Sequence, residues 1–268
     1  MIISWSRGDA DDNMDEEILI ELRDLIARHP WWAARCRLLL HLLRRVGRDA
    51  PCRIIEVGCG WGTNLSALEK AGYSVTGLDI SRNALELLDC ADRILVEADL
   101  SKDLPPNTPE YDVVLALDVI EHIDDDEVAV RRLAQLAKPS GHVILSVPAL
   151  PELFSEFDHV QGHRRRYTPA SLRNIIAGSG LEIVQILWWG QWMARLLERR
   201  TTTSHTRPGE TNTQVYKRYL SLPPWPGIWL LKLMFLIDHG RTLRARNRKG
   251  TSLFIVALRP SGYKSTSY

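Results

Sequence analysis

Cysteine is scarce in this chain. Only Cys36, Cys52, Cys59 and Cys90 occur in 268 residues, and none forms a Cys-x-x-Cys pair. That scatter argues against a disulfide framework and against a thiolate zinc site, so no metal and a reducing, cytoplasmic setting are expected. No segment offers the roughly 20 consecutive apolar residues of a membrane span, and the N-terminal stretch lacks a signal-peptide pattern. Neither a groove-binding helix nor a basic-aromatic platform is visible, so no nucleic-acid partner is expected. What remains is an ordinary globular composition, 45% hydrophobic and 25% charged, sufficient for one large α/β domain with additions or for two small domains.

Net charge is also small, +1, but unevenly spread. Residues 1–150 carry 16 Lys+Arg against 26 Asp+Glu, whereas residues 151–268 carry 18 against 7. A basic C-terminal part can face a phosphate or a membrane surface, or the two halves can attract one another.

The most informative stretch runs from Arg53 to Asn64. Ile54 to Val57 reads as a buried parallel strand. Gly58, Gly60 and Gly62 follow at alternate positions, and a helical pattern begins at Leu65. Strand, glycine turn and helix bring bare backbone to a ligand at a helix N-terminus. The next strand, Ser74 to Leu78, delivers Asp79 about 20 residues past the first glycine, the spacing of a ribose-binding acid. A nicotinamide site would want its third glycine one place later, where Thr63 stands.

Further along, Arg93 to Ala98 is strand-like and ends at Asp99-Leu100. Tyr111 to Leu117 is a fourth strand, followed by Asp118-Val119-Ile120-Glu121-His122. His142 to Val147 makes a fifth. Leu181 to Leu187 and Ser252 to Leu258 read as two more. Residues 1–14 are polar and aperiodic and are expected to fray. Helical spacing runs from Asp15 to Ile26, and a second helix from Trp31 to about Val46, with Pro30 stopping the first or starting the second. The expected division is an N-terminal helical cap over 1–50, a core over 51–187 completed by 251–260, and a helical insertion or lid over 188–250. Thr201 to Thr213 reads as a mobile loop.

These residues resemble the class I S-adenosylmethionine (SAM) dependent methyltransferases. Glu56 with the three glycines, Asp79, Asp99, and the run from Asp118 to His122 carry the resemblance. Trp31-Trp32 ahead of Arg35, and the pattern from Asp158 through Gly162-His163-x-Arg165-Arg166-Tyr167, are similar to a small-molecule branch of that family. The resemblance implies an α/β, Rossmann-like, seven-stranded sheet of order 3-2-1-4-5-7-6 with its last strand antiparallel and helices on both faces. It implies SAM as cofactor, held by Glu56, Gly58, Cys59, Gly60, Asp79, Ile80, Asp99, Leu100, Leu117 and Asp118. His122, His163 and Tyr167 become candidates for proton removal, and Trp31, Trp32, Arg35, His159 and Arg165 for the acceptor side or cap.

The acceptor is expected to be a small molecule, anionic or lipid-linked, and oligomeric state is not legible. Several readings stay open on the residues themselves. Trp31 and Trp32 either pack α-helix onto sheet or cover the cofactor. The segment from Asp158 to Tyr167 is either an acceptor site or a solvated basic loop. The apolar run Ile228 to Ile237, with the basic residues up to Lys249, is first expected to be buried in the protein. A peripheral membrane contact through 228–249 is its alternative. A fold of this kind can also cyclise or cleave SAM rather than transfer its methyl group, or bind without catalysis.

Overall fold

The apolar runs become strands of one eight-stranded sheet in the computed structural model, which describes residues 1–6, 16–90, 92–198, 209–244 and 248–262. From the N-terminus come β1 (Ile2–Ser4), α1 (Glu16–Glu21), α2 (Arg23–Arg28) and α3 (Pro30–Arg45). Pro30 starts α3: it sits at the first helical position, and the His29 ring accepts from the Trp31 amide at 3.1 Å. The alternating units β2 (Arg53–Val57), α4 (Thr63–Lys70), β3 (Ser74–Asp79), α5 (Arg82–Leu88), β4 (Ile94–Glu97), β5 (Tyr111–Leu117), α6 (Asp126–Leu136) and β6 (Ala137–Pro148) build the parallel part. Next are α7 (Glu156–Val160), α8 (Pro169–Ala177), β7 (Glu182–Trp189), α9 (Gln191–Glu198), α10 (Asn212–Tyr219), α11 (Gly227–Leu243) and β8 (Ser252–Leu258).

Strand order is β1-β4-β3-β2-β5-β6-β8-β7, with β8 antiparallel to both neighbours. The expected seven-stranded order is therefore present, extended by one strand. The expectation of a frayed terminus fails for the described residues 1–6. Ile3 pairs with Val96, because the edge strand β4 would otherwise leave a row of unpaired backbone groups. Ser6 continues the contact, its hydroxyl accepting from the Asp99 amide at 2.9 Å.

Strand alternation divides the core between the two faces. Ile54, Val113 and Ile144 pack with Leu38, Leu39, Leu42 and Leu43 of α3. Ile55, Val114 and Val143 pack with Leu133 of α6 and Leu172 of α8. Each fully buried leucine contributes about 1.5–3 kcal/mol. Trp188 and Trp189, read as insertion, are the last residues of β7 and pair with Leu253 and Ser252.

The expectation that the apolar helix is buried holds for one face only. Phe235 stacks on Trp189 at 5.9 Å, Thr242 donates to the Trp188 carbonyl, and buried Asp238 accepts from the Gly190 and Gln191 amides. The opposite face of α11 is open to solvent among the described residues, because its contacts to α3, β7 and α9 lie on one side. Residues 201–208 of the expected mobile loop and Arg246 of the basic flank lie outside the described residues.

Candidate functional site

A cavity of about 200 Å³ opens beyond the carboxyl ends of β2, β3, β4 and β5, where ligands of open parallel sheets sit. Its floor is the glycine turn. The Gly58 and Cys59 amides bond the Leu78 carbonyl, and the Gly60 amide donates to Asp79 Oδ2 at 2.7 Å. Gly60 has φ +43°, and a Cβ built there would meet no atom within 4 Å. Backbone is thus bared to the cavity at this residue. Gly58 differs: a Cβ would come within 2.5 Å of Val119.

Glu56 is buried beneath the turn. One oxygen accepts from Asn64 Nδ2 at 2.6 Å, and the other has no partner among the described residues. Burial pushes its carboxyl up to about 7. A buried carboxylate oxygen with unused capacity, lining a cavity that also holds Asp79, Asp99 and Asp118, suits a ligand carrying positive charge. An ammonium and a sulfonium meet that requirement.

Asp118 follows β5 with φ +58°. Arg35 of α3 pairs with its Oδ2 at 2.6 Å, and the Ser146 hydroxyl donates to its Oδ1 at 2.9 Å. The same guanidinium lies over the Trp31 ring, 4.9 Å from its centre. At the opposite end, Asp99 Oδ1 accepts from the Ser101 amide at 2.7 Å, fixing the turn that carries Leu100. Ile80 and Leu117 also line the cavity.

The cavity is also lined by two histidines, His122 and His163, their rings edge to face at 4.9 Å. His163 Nδ1 lies 3.0 Å from Asp158 Oδ1. Asp158 is fully buried, capped into α7 by Ser155 and gripped by Arg166 through both carboxylate oxygens. Although burial opposes ionisation, His163 and Arg166 hold the Asp158 carboxyl down at about 2. Burial and the neighbouring His163 bring His122 down to about 4. Burial, reinforced by Asp118, pushes Glu121 well above the carboxylate range. Glu121 Oε1 is 3.9 Å from His163 Nε2, and neither of its oxygens has a hydrogen-bond partner among the described residues. Glu121, His122 and His163 each offer a ligand atom within 4.8 Å of the others, a spacing compatible with a cation.

Aromatic rings form the mouth. Trp32 meets Trp31 at 4.8 Å and Trp61 at 5.9 Å, and Trp61 lies 6.4 Å from Tyr216 of α10. The insertion therefore supplies part of the cavity wall. Trp61, Asn64, Glu121 and Tyr216 escaped the sequence reading, although Trp61, Asn64 and Glu121 adjoin residues it singled out.

Every expected cofactor residue lines this cavity, as do His122, His163, Trp31, Trp32 and Arg35. Three candidates do not. Tyr167 is turned into the core below, its hydroxyl donating to Asp126 Oδ2 at 2.9 Å. Arg165 pairs with that same Asp126 at 2.9 Å. His159 faces away on α7, its ring edge on Phe154 in a separate shallow hollow. The cause is local: the Arg164 amide bonds the Glu121 carbonyl and the Tyr167 amide bonds the Pro148 carbonyl. That path leaves only His163 of this segment's candidates facing the cavity.

Comparison with known proteins agrees with this geometry. Residues 31–186, more than half of the chain, match a family model described as a methyltransferase domain. A ubiquinone biosynthesis O-methyltransferase of Ralstonia nicotianae is 33% identical over 136 residues, 44% of this chain and 56% of that protein. The enzyme of the same name from Yersinia pestis is 28% identical over 150 residues, covering 50% and 61%. The chain thus spans less than two thirds of either relative. The solved structure of a SAM-dependent methyltransferase from Archaeoglobus fulgidus superposes with a TM-score of 0.53 at 17% identity, covering 91% of this chain and all of that one. Motif, sheet order and family match converge, and the chain belongs to the class I SAM-dependent methyltransferase family.

Proposed function

We propose that the protein transfers a methyl group from SAM to a hydroxyl of a small organic acceptor. The observation that carries this reading is His163, held by buried Asp158, lining the same cavity as the glycine turn and the acids Asp79, Asp99 and Asp118. SAM supplies an electrophilic methyl on a sulfonium. The chain's part is to hold, align and deprotonate.

Glu56, Gly58, Gly60 and the backbone around Leu117 and Asp118 would receive the methionine end. Asp79 with Ile80 would take the ribose, and Asp99 with Leu100 the adenine. Ionised Asp158 fixes the tautomer of His163 with its proton on Nδ1, leaving Nε2 to accept the acceptor's hydroxyl proton. Burial disfavours charge on both neighbours, raising the Glu121 carboxyl and bringing His122 down to about 4, which limits competing charge beside that nitrogen. The hydroxyl acceptor is favoured because a hydroxyl needs such a base and because the two curated relatives are O-methyltransferases. Incubation with methyl-labelled SAM and a panel of phenols and catechols, read by mass spectrometry, tests the reading. Label in the phenolic ether is expected. Release of methylthioadenosine without labelled product would overturn it.

Two results should accompany binding. Glu56 titrates near pH 7 in the free protein, and a bound ammonium favours its ionised form. SAM binding at pH 6.5 should therefore release protons, seen as a buffer-dependent calorimetric enthalpy, and affinity should rise between about pH 5 and 7. Glu56→Gln should abolish the release. Second, Asp79 bears on folding as well as on the ligand: it is buried and holds the Gly60 and Ser81 amides. Asp79→Ala should cost about 1.5–3 kcal/mol in affinity and lower Tm by about 3–8 °C. An unchanged Tm would mean that the turn holds itself.

A further inference from the structure

We infer that α11 is a docking surface for an anionic lipid bilayer. Its outward face carries Trp229, Leu230, Leu233, Leu236 and Ile237, all exposed, and Trp225 just ahead of the helix is 76% exposed. These positions recur at three- and four-residue steps, so they form one stripe along the helix. The stripe continues into Arg241 and Arg244, both exposed, and Lys232 lies beside it with its ammonium 5.5 Å from the Trp229 ring centre. The opposite face is committed to the protein through Phe235, Asp238 and Thr242. The helix cannot turn its apolar side inward without breaking those contacts.

Charge identifies the occupant. From Thr211 to Lys249 the sequence contains a single acid, Asp238, against Lys217, Arg218, Lys232, Arg241, Arg244, Arg246, Arg248 and Lys249. Asp238 is buried under α11, where it caps α9. Lys217, Arg218 and Lys249 pair with Glu21, Glu210 and Glu152, but Lys232, Arg241 and Arg244 along the stripe have no ion pair among the described residues, so positive charge flanks it. An isologous dimer through this face would bring two copies of that basic flank together. A bilayer with anionic headgroups meets both features: acyl chains take the leucines, headgroups take the arginines, and tryptophans favour the boundary between them. None of the described helices is long and apolar enough to cross a membrane, so the contact is peripheral.

The test uses the full chain with two kinds of vesicle, phosphatidylcholine alone and phosphatidylcholine with about one third phosphatidylglycerol. Flotation should show binding to the anionic vesicles, weakening as salt is raised. Lipids brominated in the acyl chain should quench tryptophan fluorescence, and Trp225→Phe with Trp229→Phe should remove most of that quenching. Leu233→Ser with Leu236→Ser should lower partitioning about tenfold or more. Lys232→Glu with Arg244→Glu should lower it by at least about tenfold. All of these substitutions lie on the solvent face, so Tm and SAM affinity should be unchanged. The readout needs no methyl transfer, so its failure would leave the proposed reaction standing. Absence of binding to either vesicle, binding that survives both pairs of substitutions, or a dimer in light scattering that Leu233→Ser with Leu236→Ser dissociates would overturn the inference.

Discussion

Replacing His163 by alanine is expected to lower kcat by about 100- to 10,000-fold, the range typical of a general base, with SAM affinity nearly unchanged. The separation follows from placement. His163 enters the cavity from the segment after β6, whereas the residues assigned to the cofactor stand at the ends of β2 to β5. Single-turnover kinetics and calorimetry on the same variant measure the two losses independently. His163→Ala also tests the role of Asp158 without removing it. Deleting Asp158 itself would strand the largely buried Arg166 guanidinium that now grips both its oxygens, at a cost of about 3–5 kcal/mol in stability. If His163→Ala lost affinity and turnover together, the segment would close over the cofactor, and the acceptor would be sought beside Trp31 and Trp32.

Gly60→Val is the second large effect, with loss of SAM binding by a factor of about 100 or more expected. Two costs coincide. A β-branched residue at φ +43° is strained by about 1–2 kcal/mol, and its side chain would occupy the open space over the turn. The fold should survive, because no atom lies where the new Cβ would sit. Gly58→Ala provides the contrast, since its Cβ would run into Val119 and damage should appear first in thermal stability. Circular dichroism melts and calorimetry on both variants check the pair. Normal SAM binding by a folded Gly60→Val would place the ligand elsewhere.

Local pattern carried most of the cofactor side. A buried strand, alternate glycines and an acid at the end of the next strand are set by short-range geometry, so Gly58, Gly60 and Asp79 were legible from their spacing, and Glu56 from the family resemblance. The alternation of strands and helices gave a parallel α/β core, and the sheet order came from the resemblance to the methyltransferase family. Contacts that depend on distant chain segments were not legible. Tyr216 reaches the cavity from α10, more than 150 residues after Gly60, and no periodicity reports which face of a short helix will meet Trp61. Tyr167 illustrates the opposite error: dense functional residue types surround it, yet its backbone bond to Pro148 points the ring into the core. The strand at Ile2–Ser4 was hidden because three residues are too few to show alternation.

The tie between α3 and the sheet bears on how molecules enter and leave. Arg35 is almost wholly buried, paired with Asp118 and bonded to Ser146, so swinging α3 away would separate a buried ion pair. At about 3–5 kcal/mol, that motion would be roughly 150- to 5,000-fold rarer than one that breaks no such pair. On the α10 side, Tyr216 and Leu220 are buried in one apolar cluster with Ile18, Leu22 and Ile26, Tyr219 stacks on Phe157, and Lys217 pairs with Glu21 at 2.6 Å. The two sides of the cavity are therefore held differently, α3 by an ion pair to the sheet and α10 mainly by apolar packing against α1, α2 and α7. Exchange rates should respond to substitutions at Tyr216 and be indifferent to those on the outer surface of α3.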